Sequence, residues 1–306
     1  KKGKKEDKNR AYLSSIIAII IGLLVGLVIL FIANPSQALA GFGEIITGAL
    51  SRGTSGIGDV LYYATPIMMT GLSVGFAFKT GLFNIGASGQ FIVGAFGAVY
   101  VGIKFDSLGG VHWIVALLTA AVFGALWALL PGILKAFANV NEVISCIMMN
   151  YIGMYLVNYL IKADSAIFNQ LKNETNAVAK TAEIPKFGLD KLFEGSSAGG
   201  GIIIAVLVVI VIYIVLNKTT FGYELKAVGY NREASKYAGI NENRSIVLSM
   251  VIAGALAGLA GGLLYLAGSG KFIEVVDVLA DEGFNGISVA LLGLSNPIGI
   301  LFSALF

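Results

Sequence analysis

The sequence predicts an all-α fold, a polytopic membrane helix bundle of about eight or more transmembrane segments. Three observations carry that prediction. Hydrophobic residues fill 57% of the 306 positions and charged residues 13%, with a mean hydropathy of +0.84. A soluble domain averages about 45–50% apolar and about 25% charged. Apolar runs of roughly 20 residues, the length that crosses a bilayer core of about 30 Å, recur from one end of the chain to the other. Glycine is abundant at 40 residues, and "AGALAGLAGGLLYLAG" (253–268) sets Gly254, Gly258 and Gly262 four apart, the spacing that lets helices approach closely.

Taken in order, residues 1–11 read as a basic cytoplasmic tail. The six basic residues of "KKGKKEDKNR" place the N-terminus inside by the positive-inside rule. Residues 12–306 then form a single transmembrane domain with spans at 12–33, 60–78, 83–103, 111–134, 143–162, 201–217, 246–268 and 284–306. The first run exceeds a signal-peptide core of about 7–15 residues and reads as a retained helix. Residues 34–59 are expected outside, with a short helix near 40–51. Residues 163–200 form a long external loop. Residues 217–244 return to the cytoplasm with five basic residues, so two charge clusters agree on one orientation. The last segment stops within an apolar run, "GILFSALF", so further helices are expected beyond Phe306.

Polar interruptions of these spans point to function. The stretch "FKTGLFNIGASGQ" (78–90) joins two spans through glycines and the amides of Asn84 and Gln90, with Ser88 between them. Polar groups at membrane depth usually face a cavity or a pathway. The stretch therefore reads either as a broken helix whose amides bind something or as a short polar turn at the membrane edge. In "NVNEVISCIMMNYIGMYLVNYL" (139–160), Asn141 is placed to cap the fifth span. Asn150 lies deeper and shares a face with Asn158, two turns on. In "DEGFNGISVALLGLSNPIG" (281–299), Gly283, Gly286, Gly293 and Pro297 break helix regularity. Interrupted apolar segments of this kind are the best sequence pointer to a transport site. Segment 217–244 is too polar to span and too patterned for a random loop. Leu225, Val228, Tyr237 and Ile240 would stripe short helices suited to docking, on this bundle or on another protein.

Several classes of chemistry are excluded. Lys271 in "GSGKF" lacks the earlier glycine upstream of Gly270 and the following Ser or Thr of a phosphate-cradling loop, so ATP, if used, binds another subunit. No metalloprotease, nucleophile-elbow or paired-cysteine motif occurs, which leaves a membrane-embedded enzyme without a catalytic constellation. The single cysteine, Cys146, excludes an intramolecular disulfide. His112, beside Trp113, reads as a headgroup-level residue. An ion-coupled secondary transporter would want carboxylates inside its spans, whereas Asp59, Glu142, Glu274 and Asp277 flank them.

Four motifs then carry a resemblance. "GLFNIGASGQ" resembles the "FNIGAEGQ" signature of permease subunits of bacterial nucleoside-type ABC importers, and "NEVISCIMMNYI" (141–152) resembles that family's "NEVI" helix start. "TTFGYELKAVGYNREASKYAGI" (219–240) is similar to the coupling segment shared with simple-sugar and branched-chain amino-acid permeases. "GFNGISVALLGLSNPIGI" (283–300) resembles "GFDGIAVALLG…NP". They stand in family order over residues 60–306.

The resemblance implies a type II-like ABC importer permease that carries nucleosides, or alternatively a simple sugar. It implies a second, related permease, two ATP-binding subunits (or one fused ATPase) and an extracellular substrate-binding lipoprotein as partners. This chain would bind no cofactor and no nucleic acid; ATP would be used by the partner subunits. Carried over by position, Asn84, Gly86, Ser88, Gln90, Asn150, Phe284, Asn285, Gly286 and Ser288 would border the translocation path. Glu224, Ala227, Gly229, Arg232, Glu233 and Gly239 would meet the ATPase. Two positions depart from the motif, since Ser88 and Asn285 replace its usual carboxylates. The two positions touch, or the substrate is shifted, or this is the less conventional half of a heterodimer; paired acids in contact would repel or share a proton.

Overall fold

The computed structural model describes residues 2–306, and the side chains from Leu13 onward. The expected basic tail at 1–11 carries side chains outside that description. Thirteen α-helices and one two-stranded ribbon make up the described chain. The long apolar segments become α1 (Lys2–Ala33), α3 (Gly53–Lys79), α5 (His112–Ala138), α6 (Glu142–Ala163), α8 (Gly201–Lys218) and α11 (Glu242–Tyr265). Shorter helices lie between them: α2 (Ala38–Ser51), α4 (Ala87–Lys104), α7 (Leu189–Leu192), α9 (Thr220–Tyr230), α10 (Arg232–Tyr237), α12 (Asp281–Leu292) and α13 (Pro297–Leu305). Strands β1 (Phe168–Asn169) and β2 (Glu174–Thr175) pair antiparallel in the segment after α6.

Six of these helices are long and apolar enough to cross a membrane. The expectation of eight continuous spans is not met in that form. The segment expected as span 284–306 is α12 and α13, bent by 118° at their junction. Gly293, Leu294, Ser295 and Asn296 make that bend, with Leu294 at φ 55° and Ser295 at φ 51°. Two successive non-glycine residues in the left-handed region store backbone strain of about 1–3 kcal/mol each. Ser295 N–H donates to Ala290 O at 2.7 Å, and Asn296 caps α13 ahead of Pro297. At 12 residues, or about 18 Å, α12 crosses about half the bilayer core.

The core is α3, α4, α5 and α11. Glycines set its density: a Cβ on Gly254 would run into Ala128 and the Gly124 carbonyl, and one on Gly258 into the Ala120 carbonyl. Gly94 lies against Gly258, and Gly261 against the Phe91 carbonyl, so α4 closes onto the other side of α11. In contrast, none of Leu13–Ala33 is buried. An apolar helix exposed all round requires lipid or another chain as its solvent.

One end of the bundle gathers the turn at 106–111, segment 163–200 and the loop 266–280. β2 docks there on that loop, with Thr175 N–H donating to Ile273 O at 3.0 Å. His112 is fully buried at this end: Nε2 lies 2.9 Å from Val101 O and Nδ1 lies 2.8 Å from Thr181 Oγ1. The ring thereby ties α5 to the end of α4 and to the long loop. The opposite end carries the 80–86 turn, α9 and α10.

Substituting Gly258→Leu should destabilise the bundle by about 1–3 kcal/mol or more, since backbone cannot yield to the added side chain. Gly22→Leu on α1 should be near neutral, because nothing lies within 4 Å of its Cβ position. Thermal unfolding of the detergent-solubilised protein checks both.

Candidate functional site

The turn between α3 and α4 is built by hydrogen bonds that the sequence anticipates only in part. Leu82 N–H donates to Ala77 O and Gly81 adopts φ +73°, so the chain reverses and re-enters the bundle. Asn84 is then fully buried, as are Ser88 and Gln90. Asn84 and Gln90 exchange two amide hydrogen bonds: Asn84 Nδ2 donates to Gln90 Oε1 at 2.8 Å, and Gln90 Nε2 donates to Asn84 Oδ1 at 2.9 Å. Asn84 Nδ2 also donates to Ser73 Oγ at 3.0 Å on α3. A Cβ on Gly86 would sit tightly against Cys146 Sγ at 3.1 Å and the two amides, which would have to give by a few tenths of an ångström.

Asn150 of α6 clamps the same turn from the side. Its Nδ2 donates to Ile85 O at 3.0 Å, and its Oδ1 accepts from Gly89 N–H at 2.8 Å. Asn158, two turns on, is also buried, and donates to Val276 O at 2.9 Å and Asp277 Oδ1 at 3.1 Å. Ser88 Oγ donates to Ala280 O at 2.8 Å, just before α12 begins. Asn84, Gln90 and Asn150 therefore stand together around the α3–α4 turn. In this arrangement their hydrogen bonds are spent within the chain and none of them faces open space.

α12 meets this cluster with its small face. A Cβ on Gly283 would strike Ser88, and one on Gly286 would strike Thr70, whose hydroxyl already donates to Glu282 O at 2.7 Å. Phe284 is partly buried. The other face of α12 presents Asp281, Asn285 and Ser288, all exposed and spaced four and three apart, so they form one polar stripe. Of the two motif departures, Ser88 thus meets the backbone of Ala280 and Gly283, while Asn285 stands on the exposed stripe. A cavity of about 500 Å³ opens at the head of α12, lined by Tyr265, Lys271, Glu274, Ala280, Asp281 and Glu282.

At the opposite end, α9 and α10 lie across the bundle. Thr219 and Asn231 cap them through their side chains. Leu225 and Val228 are buried and Ile240 is partly so, as the pattern anticipates, but Tyr237 is 93% exposed. Tyr223 and Tyr230 are exposed as well, so three tyrosines seven residues apart project from this segment. Glu233 and Gly239 are exposed, while Glu224 and Ala227 are half-buried. Gly229 packs its backbone against the end of α3, where an added Cβ would meet the Lys79 carbonyl and lie 2.9 Å from Gly81 N.

Residues 56–306 match the family model described as branched-chain amino acid transport system / permease component. The chain belongs to this family. The permease is 40% identical to the guanosine ABC transporter permease protein NupP of Bacillus subtilis, over 94% of this chain and 81% of that protein. It is 37% identical to the nucleoside ABC transporter permease protein NupB of Lactococcus lactis, over 98% of this chain and 82% of the other. Likeness extends to the glucose ABC transporter permease protein TsgB13 of Haloferax volcanii, at 30% identity over 97% and 78% of the two chains. The permease proteins NupQ and NupC, from the same two bacteria, match it at 28% identity. No solved structure matches the permease. With its several apolar helices, it is a multi-pass protein of the cell membrane.

Asn84→Leu should cost about 1–3 kcal/mol, because it strands the Gln90 amide inside the bundle. Asn84→Leu with Gln90→Leu should cost less than the sum of the two single changes. A double-mutant cycle on thermal unfolding measures that coupling.

Proposed function

We infer that this permease is the membrane subunit of an ATP-driven importer that moves nucleosides into the cell. The observation that carries the reading is the likeness, along nearly the whole chain, to permeases named for guanosine and for nucleosides. The geometry supports this reading. A half-span with three exposed polar residues on one stripe cannot rest that stripe on lipid, so it faces a water-filled path or a partner. Asn285 and Ser288 offer neutral hydrogen bonds along it, suited to a ribose and a base edge. The head of α12 collects Glu174, Glu274, Asp281 and Glu282 against Lys271, a surplus of negative charge that disfavours phosphorylated solutes.

The orientation we propose puts the N-terminus and residues 217–244 in the cytoplasm and residues 163–200 outside. α9 and α10 then take the ATP-hydrolysing subunits on Tyr223, Tyr230, Glu233 and Tyr237. A second, related permease completes the path, in keeping with relatives that bear paired names, NupP with NupQ and NupB with NupC. An extracellular binding lipoprotein delivers the solute to the loop end. The amides of Asn84, Gln90 and Asn150 and the Ser88 hydroxyl act as struts that hold the α3–α4 turn and the head of α12 beside this path. Likeness to TsgB13 favours a simple sugar as the second reading. Ion coupling is disfavoured, since the buried polar residues among those described include no Asp or Glu.

Uptake of labelled nucleosides should require this gene, fall on ATP depletion, survive a proton uncoupler and resist competition by ribose and by nucleoside monophosphates. Competition by ribose would move the substrate to sugars. Uptake that persists without ATP and stops with the uncoupler would overturn the mechanism. Within the same assay, Asn285→Leu and Ser288→Leu should lower uptake about tenfold while the assembled complex keeps its wild-type yield, the loss of an oriented polar contact being worth about 1–2 kcal/mol.

A further inference from the structure

Arg232 stands in the segment read as the ATPase-facing surface, yet its side chain turns inward. Its Nη2 donates to Asn243 Oδ1 at 3.0 Å and to Ala136 O at 3.4 Å, and its Nε lies 3.3 Å from Glu242 Oε1. One guanidinium therefore ties the first residue of α10 to the first turn of α11 and the last turn of α5. The planar fork of arginine makes such a multi-point anchor; the single ammonium of lysine does not. The side chains of Arg232 and Glu242 are 32% and 14% exposed, so water and salt screen the pair less than they screen a surface pair.

Three residues earlier, Gly229 abuts Lys79 and Gly81 at the end of α3. The α9–α10 junction, extended at Asn231, thus bears on two groups of helices. Through Gly229 it meets α3, which carries α12 by way of Thr70. Through Arg232 it meets α5 and α11, which the Gly124–Gly254–Gly258 seam locks together. The ion pair uses one carboxylate oxygen only. Glu242 Oε2 is the one buried polar side-chain atom among the described residues with no hydrogen-bond partner. A buried acceptor left unpaired is costly, so this end of the contact is the strained one.

We propose that Arg232, held by Glu242, Asn243 and Ala136, forms a latch that transmits movement of the α9–α10 junction to the α5–α11 pair. Arg232 and Glu242 are positioning residues; neither touches solute or nucleotide. The proposal rests on the reading of this chain as an ATP-driven permease.

The test uses the permease expressed with its ATP-hydrolysing subunits, carrying Arg232→Gln, Arg232→Lys, Glu242→Gln, or the exchange Arg232→Glu with Glu242→Arg. Each single variant should co-purify with the ATPase at wild-type yield and keep basal ATP hydrolysis, while ATP-dependent uptake falls at least tenfold. The exchange should restore at least a third of that uptake, and lysine at 232 should not. Loss of co-purification in Arg232→Gln, unrepaired by the exchange, would make Arg232 a direct ATPase contact and overturn the latch. Unchanged uptake in the single variants would overturn it too. Thermal unfolding of the permease alone separates the two claims. Additive effects of Arg232→Gln and Glu242→Gln sink the contact itself. Coupled effects, in a wild type that shows no ATP-dependent uptake, leave the contact standing and remove the transport reading.

Discussion

The structure depends on one obligation, that polar groups buried in the bundle find partners inside the protein. The chain reverses between Lys79 and Ala87, and that turn buries backbone and amides among the helices. Asn84 and Gln90 answer with a reciprocal pair of hydrogen bonds, Ser73 takes the remaining donor, and Asn150 caps the exposed Ile85 carbonyl and Gly89 N–H. Each bond contributes only about 1 kcal/mol net, yet an orphaned partner would cost about 1–3 kcal/mol. The network is therefore kept whole or lost as a unit. A turn held so firmly can sit between moving parts without melting.

Those parts are positioned by glycine. Gly229 brings α9 onto the turn from one side, while Gly283 and Gly286 bring α12 onto Ser88 and Thr70 from the other. Close backbone approach replaces side-chain packing at both contacts, so a displacement at one surface has little soft material in which to dissipate. The polar stripe of α12 then lies on the far side of a stiff connection from the surface that carries the exposed tyrosines. On the proposed reading, such a connection would join the ATPase-facing end to the solute path.

Much of this was legible in the sequence because hydropathy is a one-dimensional signal. The runs that became α1, α3, α5, α6, α8 and α11 are long, apolar and bounded by charge or caps, and Asn141 caps α6 as its position suggested. The α9–α10 segment stood out because its buried residues, Leu225 and Val228, keep helical spacing amid charge. What could not be read is tertiary. Asn84 and Gln90 were readable either as ligands or as a polar turn, since sequence does not say that two amides six residues apart face each other. Gly293 and Pro297 announced a break but not a bend of 118° that turns the expected span into two short helices. The partners that bury His112, Val101 and Thr181, lie 11 and 69 residues away and leave no local signal. Arg232 likewise read as surface charge until Ala136 and Asn243 were placed beside it.

The central claim is that solute passes the exposed stripe of α12 while the amides of the α3–α4 turn remain internal struts. Cysteine accessibility tests it most directly. In a chain whose Cys146 has been replaced by alanine, single cysteines at 285, 288, 84 and 90 are challenged with a small hydrophilic thiol reagent during transport. The account predicts labelling at 285 and 288 that substrate slows, and none at 84 or 90. Labelling at 84 or 90 protected by substrate, with 285 and 288 inert, would contradict it and return the route to the amides.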